Sequence, residues 1–214
     1  MTTAQQMETI AEKLQTVAEN EQRVYDAGYA KGQLEGSGGD VPDGFVKVDP
    51  TWTNFSQLCY ARPSMIKHLK YEDTANGTSF LAMFSTITAA QTNEDVVIPR
   101  LDYRKGTNFT NMFIYSERIV EIGEMDISNA TAVANMFNGC ASLQKISFAQ
   151  GCIKIAINFS SCPLLDDGSI QSIIDGLADL TGQTAQTLTL HAAVKERLTD
   201  DQRAAIAAKN WVLA

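Results

Sequence analysis

Two histidines, His68 and His191, are all the imidazole this chain has, so acid–base chemistry would have to use one of them or work with carboxylates alone. Neither stands with a nucleophile and an orienting group, and both are read as structural. No nucleophile elbow, HExxH or Walker motif occurs. Gly36-Ser37-Gly38-Gly39 does not sit between a strand and a helix of a βαβ unit, so it reads as a tether and not as a phosphate cradle. Cys59, Cys140, Cys152 and Cys162 form no CxxC pair and have no histidine at zinc-ligand spacing, which leaves them as small buried thiols. Asp166-Asp167 and Asp200-Asp201 lack the ligand spacing of a calcium loop and suit helix starts. Asn54, Asn76, Asn108, Asn129 and Asn158 each open an Asn-x-Ser/Thr triplet, and they are expected to form turns rather than carry sugars. The expectation is a chain that is not an enzyme and needs no cofactor or metal.

What remains is recognition, and a repeat would position it. Asn111-Met112-Phe113 recurs as Asn135-Met136-Phe137, 24 residues later. Leu101-Asp102 and Met125-Asp126 stand in the same register before them, and Ile119 and Leu143 follow. Anchors at Cys59, Phe84, Phe113, Phe137 and Phe159 are spaced by 25, 29, 24 and 22 residues, the long interval holding an insertion near Ala89–Asp95. A period in the twenties marks one small unit stacked on copies of itself. Each unit reads as a short turn carrying Met-Phe inward, then a short strand such as Val96–Ile98, Ile119–Ile122 or Leu143–Phe148. On these repeats Tyr103, Arg104, Tyr115 and Arg118 are the candidate binding surface, because Tyr and Arg dominate interface hot spots.

The flanks differ from the repeats. Residues 1–34 carry Met7, Ile10, Leu14, Val17 and Val24 at 3-4 spacing, which predicts an amphipathic, coiled-coil-like helix for oligomerisation as a dimer or trimer, or for docking. Three heptads are marginal alone, so a partner is expected. Residues 35–44 read as a flexible linker, 45–168 as the repeats, and 169–214 as an α/β capping module with a helix from Ser169, a strand at Thr187–Leu190, a helix from Thr199 and a last strand at Trp211. The fold class expected is α/β: an N-terminal helix, a short solenoid of these repeats, and an α/β cap. With 17 basic and 25 acidic residues the net charge is −8, which argues against nucleic acid, and no stretch is apolar enough for a membrane span. The opening residues lack the features of a secretory signal.

The run from Asp126 to Leu143, Asp-x-Ser-Asn-x-Thr-x-x-x-Asn-Met-Phe-x-x-Cys-x-Ser-Leu, resembles the BspA-like leucine-rich repeats of bacterial surface proteins. Asn158 replaces the Met before Phe159, and Cys59 replaces the Phe, so the outer repeats depart from the pattern. The opening Thr2–Glu12 with Val24–Gly32, and the close from Thr187 to Trp211, are similar to structural proteins of phages and prophages of gut Firmicutes. The resemblance implies that the repeats form a right-handed leucine-rich-repeat solenoid, and that the chain is a virion protein, made in the host cytoplasm and released by lysis. It would be a homo-oligomeric fibre or receptor-binding appendage on tail or head, joined to other virion proteins through its first helix. Its partner would be a host-surface glycan or protein. Decoration of capsid or baseplate without receptor binding, or cell-surface adhesion, are the alternatives.

Overall fold

The sequence period becomes a column of rings. Phe84, Phe113, Phe137 and Phe159, all at 0% exposure, stack with centroids 5.6, 5.5 and 4.6 Å apart. A second column runs Phe55, Phe80, Phe109 at 5.6 and 5.3 Å, with the Tyr103 ring edge-on to Phe80 at 5.2 Å. These rings, with Met83, Met112 and Met136, form the core, where burial and offset stacking both favour the native state. The computed structural model describes residues 48, 49 and 51–214. The expected helix over 1–34, with Met7, Ile10, Leu14, Val17 and Val24, and the linker 35–44 lie outside the described residues.

Between the rings the backbone runs in overlapping turns. The N–H groups of Phe55, Gln57, Cys59 and Ala61 donate to the carbonyls of Ser79, Leu81, Met83 and Ser85 at 2.8–3.1 Å. Phe80, Ala82, Phe84 and Thr86 do the same to Asn108, Thr110, Met112 and Ile114, and Phe109, Asn111, Phe113 and Tyr115 to Ala132, Ala134, Met136 and Asn138. The alternate N–H groups close turns within a unit, as Leu58 does on Phe55 and Tyr60 on Gln57. Aligning every second N–H this way needs a left-handed residue at regular places: Gln57, Ala61, Ala82, Thr86, Asn111, Tyr115, Asn135 and Gly139 have φ of 49–79°. The columns also dictate a glycine. A Cβ on Gly106 would lie 2.3 Å from Cζ of Phe109 and 2.9 Å from Phe80.

Helix α1 (Pro63–Ile66) and a 3-10 turn (Tyr71–Thr74) precede three strands, β1 (Val96–Ile98), β2 (Ile119–Met125) and β3 (Lys145–Phe148). These make one parallel sheet in the order β1-β2-β3, with Ile98, Ile122 and Ile146 aligned inward. A second parallel sheet joins β4 (Ile157–Phe159), β5 (Gln186–Leu190) and β6 (Trp211–Leu213). Helix α2 (Asp167–Gly176) lies between them in sequence, and α3 (Ala192–Lys195) and α4 (Asp200–Ala208) connect β5 to β6. Asp166 caps α2 through Ser169 N–H at 2.7 Å, and Thr199 with Gln202 forms a capping box on α4, as expected of Thr199–Gln202.

The expected right-handed leucine-rich-repeat solenoid is therefore corrected: the described residues form a mixed α/β structure with two small parallel three-stranded sheets and four short helices, and no solenoid forms among them. The physical reason lies at β3. Where a further strand would pair, α2 presents Ser169 and Ser172, whose Oγ atoms accept the N–H groups of Ile146 and Phe148, each at 2.9 Å. Ser169 Oγ also donates to the carbonyl of Gln144 at 3.2 Å. The edge of the first sheet is thus satisfied by side chains, and β4 pairs onward with β5. Register shifts at Val96/Val97 and at Ile122/Met125 further interrupt a uniform ladder.

Candidate functional site

A small cleft opens at the carboxyl ends of β1, β2 and β3. Its walls are Arg100–Arg104 after β1, Glu124 and Asp126 at the end of β2, Ala149 after β3, and the Tyr71 ring. Asp102 is 4% exposed and takes the Arg104 guanidinium in two bonds, Nε to Oδ1 at 2.9 Å and Nη2 to Oδ2 at 2.7 Å. The Arg104 side-chain bond, more than any other cause, holds the Asp102 carboxyl below the usual carboxylate range. Thr74 Oγ1 accepts the Asp102 N–H at 2.9 Å, which ties this residue to the 3-10 turn. Arg100 pairs with Glu124 at 2.7 Å while its guanidinium carbon lies 5.2 Å from the Tyr71 centroid.

Asp126 is the repeat equivalent of Asp102 but is differently engaged. Its Oδ1 accepts the Ser128 N–H at 3.0 Å, and among the described residues nothing donates to Oδ2. Arg104 lies close enough for its charge to feel Asp126. The next equivalent position, after β3, is Ala149, whose N–H donates to Met125 at 2.9 Å and whose methyl leaves room beside Asp126. The cleft thus combines two guanidiniums, three carboxylates and the rings of Tyr71 and Tyr103, carried by the 3-10 turn and by the segments that leave the three strands.

The four candidate binding residues do not form one surface. Tyr103 is 1% exposed and belongs to the core; burial pushes its phenol up from the ordinary value. Arg104 keeps its side chain 63% exposed while bonded to Asp102, and it lines the cleft. Tyr115, at φ 56°, is 51% exposed and packs over Gly139, where an added Cβ would meet its Cα at 3.0 Å. Arg118 is half-buried, and Nη2 donates to the Asn93 carbonyl while Glu117 Oε1 accepts the Ala89 N–H at 3.2 Å. Both anchor the insertion near residues 89–95 against this edge.

The thiols behave as packing groups. All four are free and buried. Burial pushes Cys59 and Cys162 up to about 12 and Cys152 up to about 11. Cys140 Sγ donates to the Phe113 carbonyl at 3.1 Å, as Ser116 Oγ, one repeat earlier, donates to Phe84 at 2.6 Å. His191 caps α3, its Nδ1 accepting the Ala193 N–H at 3.1 Å. Asn54, Asn108 and Asn158 accept the N–H two residues ahead at 2.8–3.1 Å, which makes them turn formers as expected. Among the described residues no group of three or more ligating side chains could hold a metal ion, and no helix is long and apolar enough to cross a membrane.

The motifs in the sequence pointed to none of Tyr71, Arg100 and Glu124, and to Asp102 and Asp126 only as markers of the repeat register. A signal for part of this was present. Arg100 and Glu124 are one period of 24 residues apart, as are Glu121 and Lys145, which approach to 3.8 Å. Opposite charges one period apart become neighbours when units stack. Compared with known protein families, curated proteins and solved structures, the chain matches none. The resemblance to BspA-like repeats and to phage structural proteins therefore rests on the residues quoted for it.

Proposed function

We propose that this chain is a structural protein of a phage particle, a homo-oligomeric fibre or receptor-binding appendage on tail or head that offers residues 48–214 to the host surface. The observation that carries the reading is the stacking of successive units. It lines up polar side chains from residues far apart in sequence on one rigid backbone, the arrangement a recognition surface needs. The motif from Asp126 to Leu143 and the phage-like ends support the same reading. Assembly through residues 1–34 would multiply weak single contacts. Peptide mass spectrometry on purified particles tests it: the chain is expected at a fixed, stoichiometric copy number, and its absence from intact particles with expression confirmed in lysate would refute it.

A second reading, decoration of the particle without receptor contact, is favoured by one specific observation. Of the four residues expected to bind, Tyr103 is buried and Arg104 and Arg118 are engaged internally. Binding of the full chain to host cells separates the two readings.

A further inference from the structure

We propose that the cleft between Arg104, Asp126 and Ala149 is a saccharide subsite that grips a neighbouring pair of hydroxyls on a neutral sugar. This names the ligand class for the recognition role above and rests on that reading. A sugar hydroxyl both donates and accepts, so a pair of them is matched by one fixed acceptor beside one fixed donor. Asp126 Oδ2 is such an acceptor, with no donor among the described residues. Arg104 is such a donor: Asp102 takes Nε and Nη2, and Nη1 makes no bond in the cleft.

The geometry is set before any ligand arrives. Asp102 holds the Arg104 fork at two points, the Arg104 carbonyl accepts Asn129 Nδ2 at 2.7 Å, and Ser128 N–H fixes Asp126. Each polar group therefore loses little freedom on binding. Access comes from Ala149, since an aspartate there, as at the two preceding equivalents, would fill the space beside Asp126. Tyr71, 37% exposed, bounds the rim with the Arg100 guanidinium over its ring. The opening is small and half polar, so it suits the edge of a sugar and excludes a large apolar ligand.

The test uses the full chain, isotopically labelled, titrated with methyl glycosides of glucose, galactose, mannose, rhamnose and N-acetylglucosamine at millimolar concentration. At least one is expected to shift the Arg104 side-chain Nε–H and the Ala149 amide. Asp126→Asn, which keeps an oxygen for Ser128 but removes the charge, is expected to weaken binding about tenfold or more. Ala149→Leu, which leaves every charge in place and fills the opening, is expected to abolish it. No shift with any glycoside overturns the proposal, as does binding that survives Ala149→Leu in a folded variant. Shifts with methylammonium but none with glycosides would overturn it in favour of a cation site. Host-cell binding that is equal for the wild type and Ala149→Leu would sink the cleft while leaving recognition standing. Glycoside binding by a chain absent from particles would do the reverse.

Discussion

Phe113→Ala should be the most damaging single truncation in the described residues. Its ring is fully buried and stacked on both sides, 5.6 Å from Phe84 and 5.5 Å from Phe137. Removing a buried Phe side chain costs about 3–5 kcal/mol from lost transfer energy and the residual cavity. The rigid turn ladder limits how far the cavity can collapse, because Phe113 N–H and Tyr115 N–H are held to the next unit at 3.0 and 2.7 Å. Two ring pairs at roughly 0.5–1.5 kcal/mol each lie within that total. Phe113→Leu restores most of the apolar volume without the stacking and should cost about 1–3 kcal/mol. For a domain of this size the Ala variant should lower Tm by about 6–20 °C.

Urea unfolding gives the measurement, with Trp52 and Trp211 as the only two tryptophans. Trp52 reports from the start of the ring columns, 6.3 Å from Phe55, and Trp211 from the last strand, where Nε1 donates to the Ala178 carbonyl at 2.9 Å. If the columns unify the domain, circular dichroism and fluorescence should unfold together in the wild type, and the midpoint should fall in the order wild type, Leu, Ala. A loss below about 1 kcal/mol for Phe113→Ala would refute the reasoning. So would equal losses for Leu and Ala, since stacking and volume could then not be separated as claimed.

Other predictions follow from single contacts. In the folded chain none of the four thiols should react quickly with iodoacetamide at pH 8, because burial keeps them protonated, and all four should react in denaturant; rapid labelling at any one would contradict its burial. Cys140→Ser should be nearly neutral in stability, since Ser116 makes the same bond one repeat earlier, while Cys140→Ala should cost about 1 kcal/mol for the lost thiol bond and its packing, the Phe113 carbonyl keeping only the Ser116 N–H at 3.2 Å; equal losses in urea melts would dispose of that role. Arg104→Met should destabilise the domain most at neutral pH. The folded Asp102 has a lowered pKa, so its pairing contributes fully above about pH 4 and is lost as pH falls through the folded value. The stability gap between wild type and variant should therefore narrow on acidification, and a constant gap would refute the pairing. Leu14→Asp should lower the solution mass to that of a monomer with the 48–214 circular dichroism intact, if residues 1–34 assemble the chain; an unchanged mass would end that idea.

The repeat was legible because its residues are large, buried and periodic: Phe84, Phe113, Phe137 and Phe159 stack in the order their spacing implied. The strands Val96–Ile98 and Ile119–Ile122 were legible for the same reason, as was the Thr199 capping box. The exposure of Tyr103 was not. It sits among polar neighbours in Asp102-Tyr103-Arg104-Lys105, and only the approach of Phe80 and Phe109 from other units turns its ring inward. Arg118 misled in the same sense for another reason, because its partner is the backbone of an inserted loop and carries no side-chain signal. Backbone partners one unit away cannot be read from residue types alone.

The end of the first sheet belongs to the same class of invisible partner, and it shows which force sets the architecture. Periodicity implied that each strand would pair with the next, yet two serine hydroxyls on α2 satisfy the β3 edge, and β4 joins β5 instead. The ring column ignores that break: Phe137, before β3, stacks on Phe159, within β4, at 4.6 Å, the shortest step in the column. Hydrogen bonding can change partners at little net cost, because a hydroxyl or a carbonyl satisfies an N–H nearly as well. A buried ring has no such substitute, since losing its neighbour leaves a cavity. Packing of the phenylalanines therefore carries the repeat across a junction where the sheet does not. Ser169→Ala with Ser172→Ala should then expose the β3 edge and destabilise the domain by about 1–3 kcal/mol without unstacking Phe137 from Phe159. Slowed hydrogen exchange at Ile146 and Phe148 in the wild type, lost in that double variant while Phe159 keeps its protection, is the expected pattern. Loss of protection at all three together would mean that the hydroxyls, and not the rings, hold the two sheets as one domain.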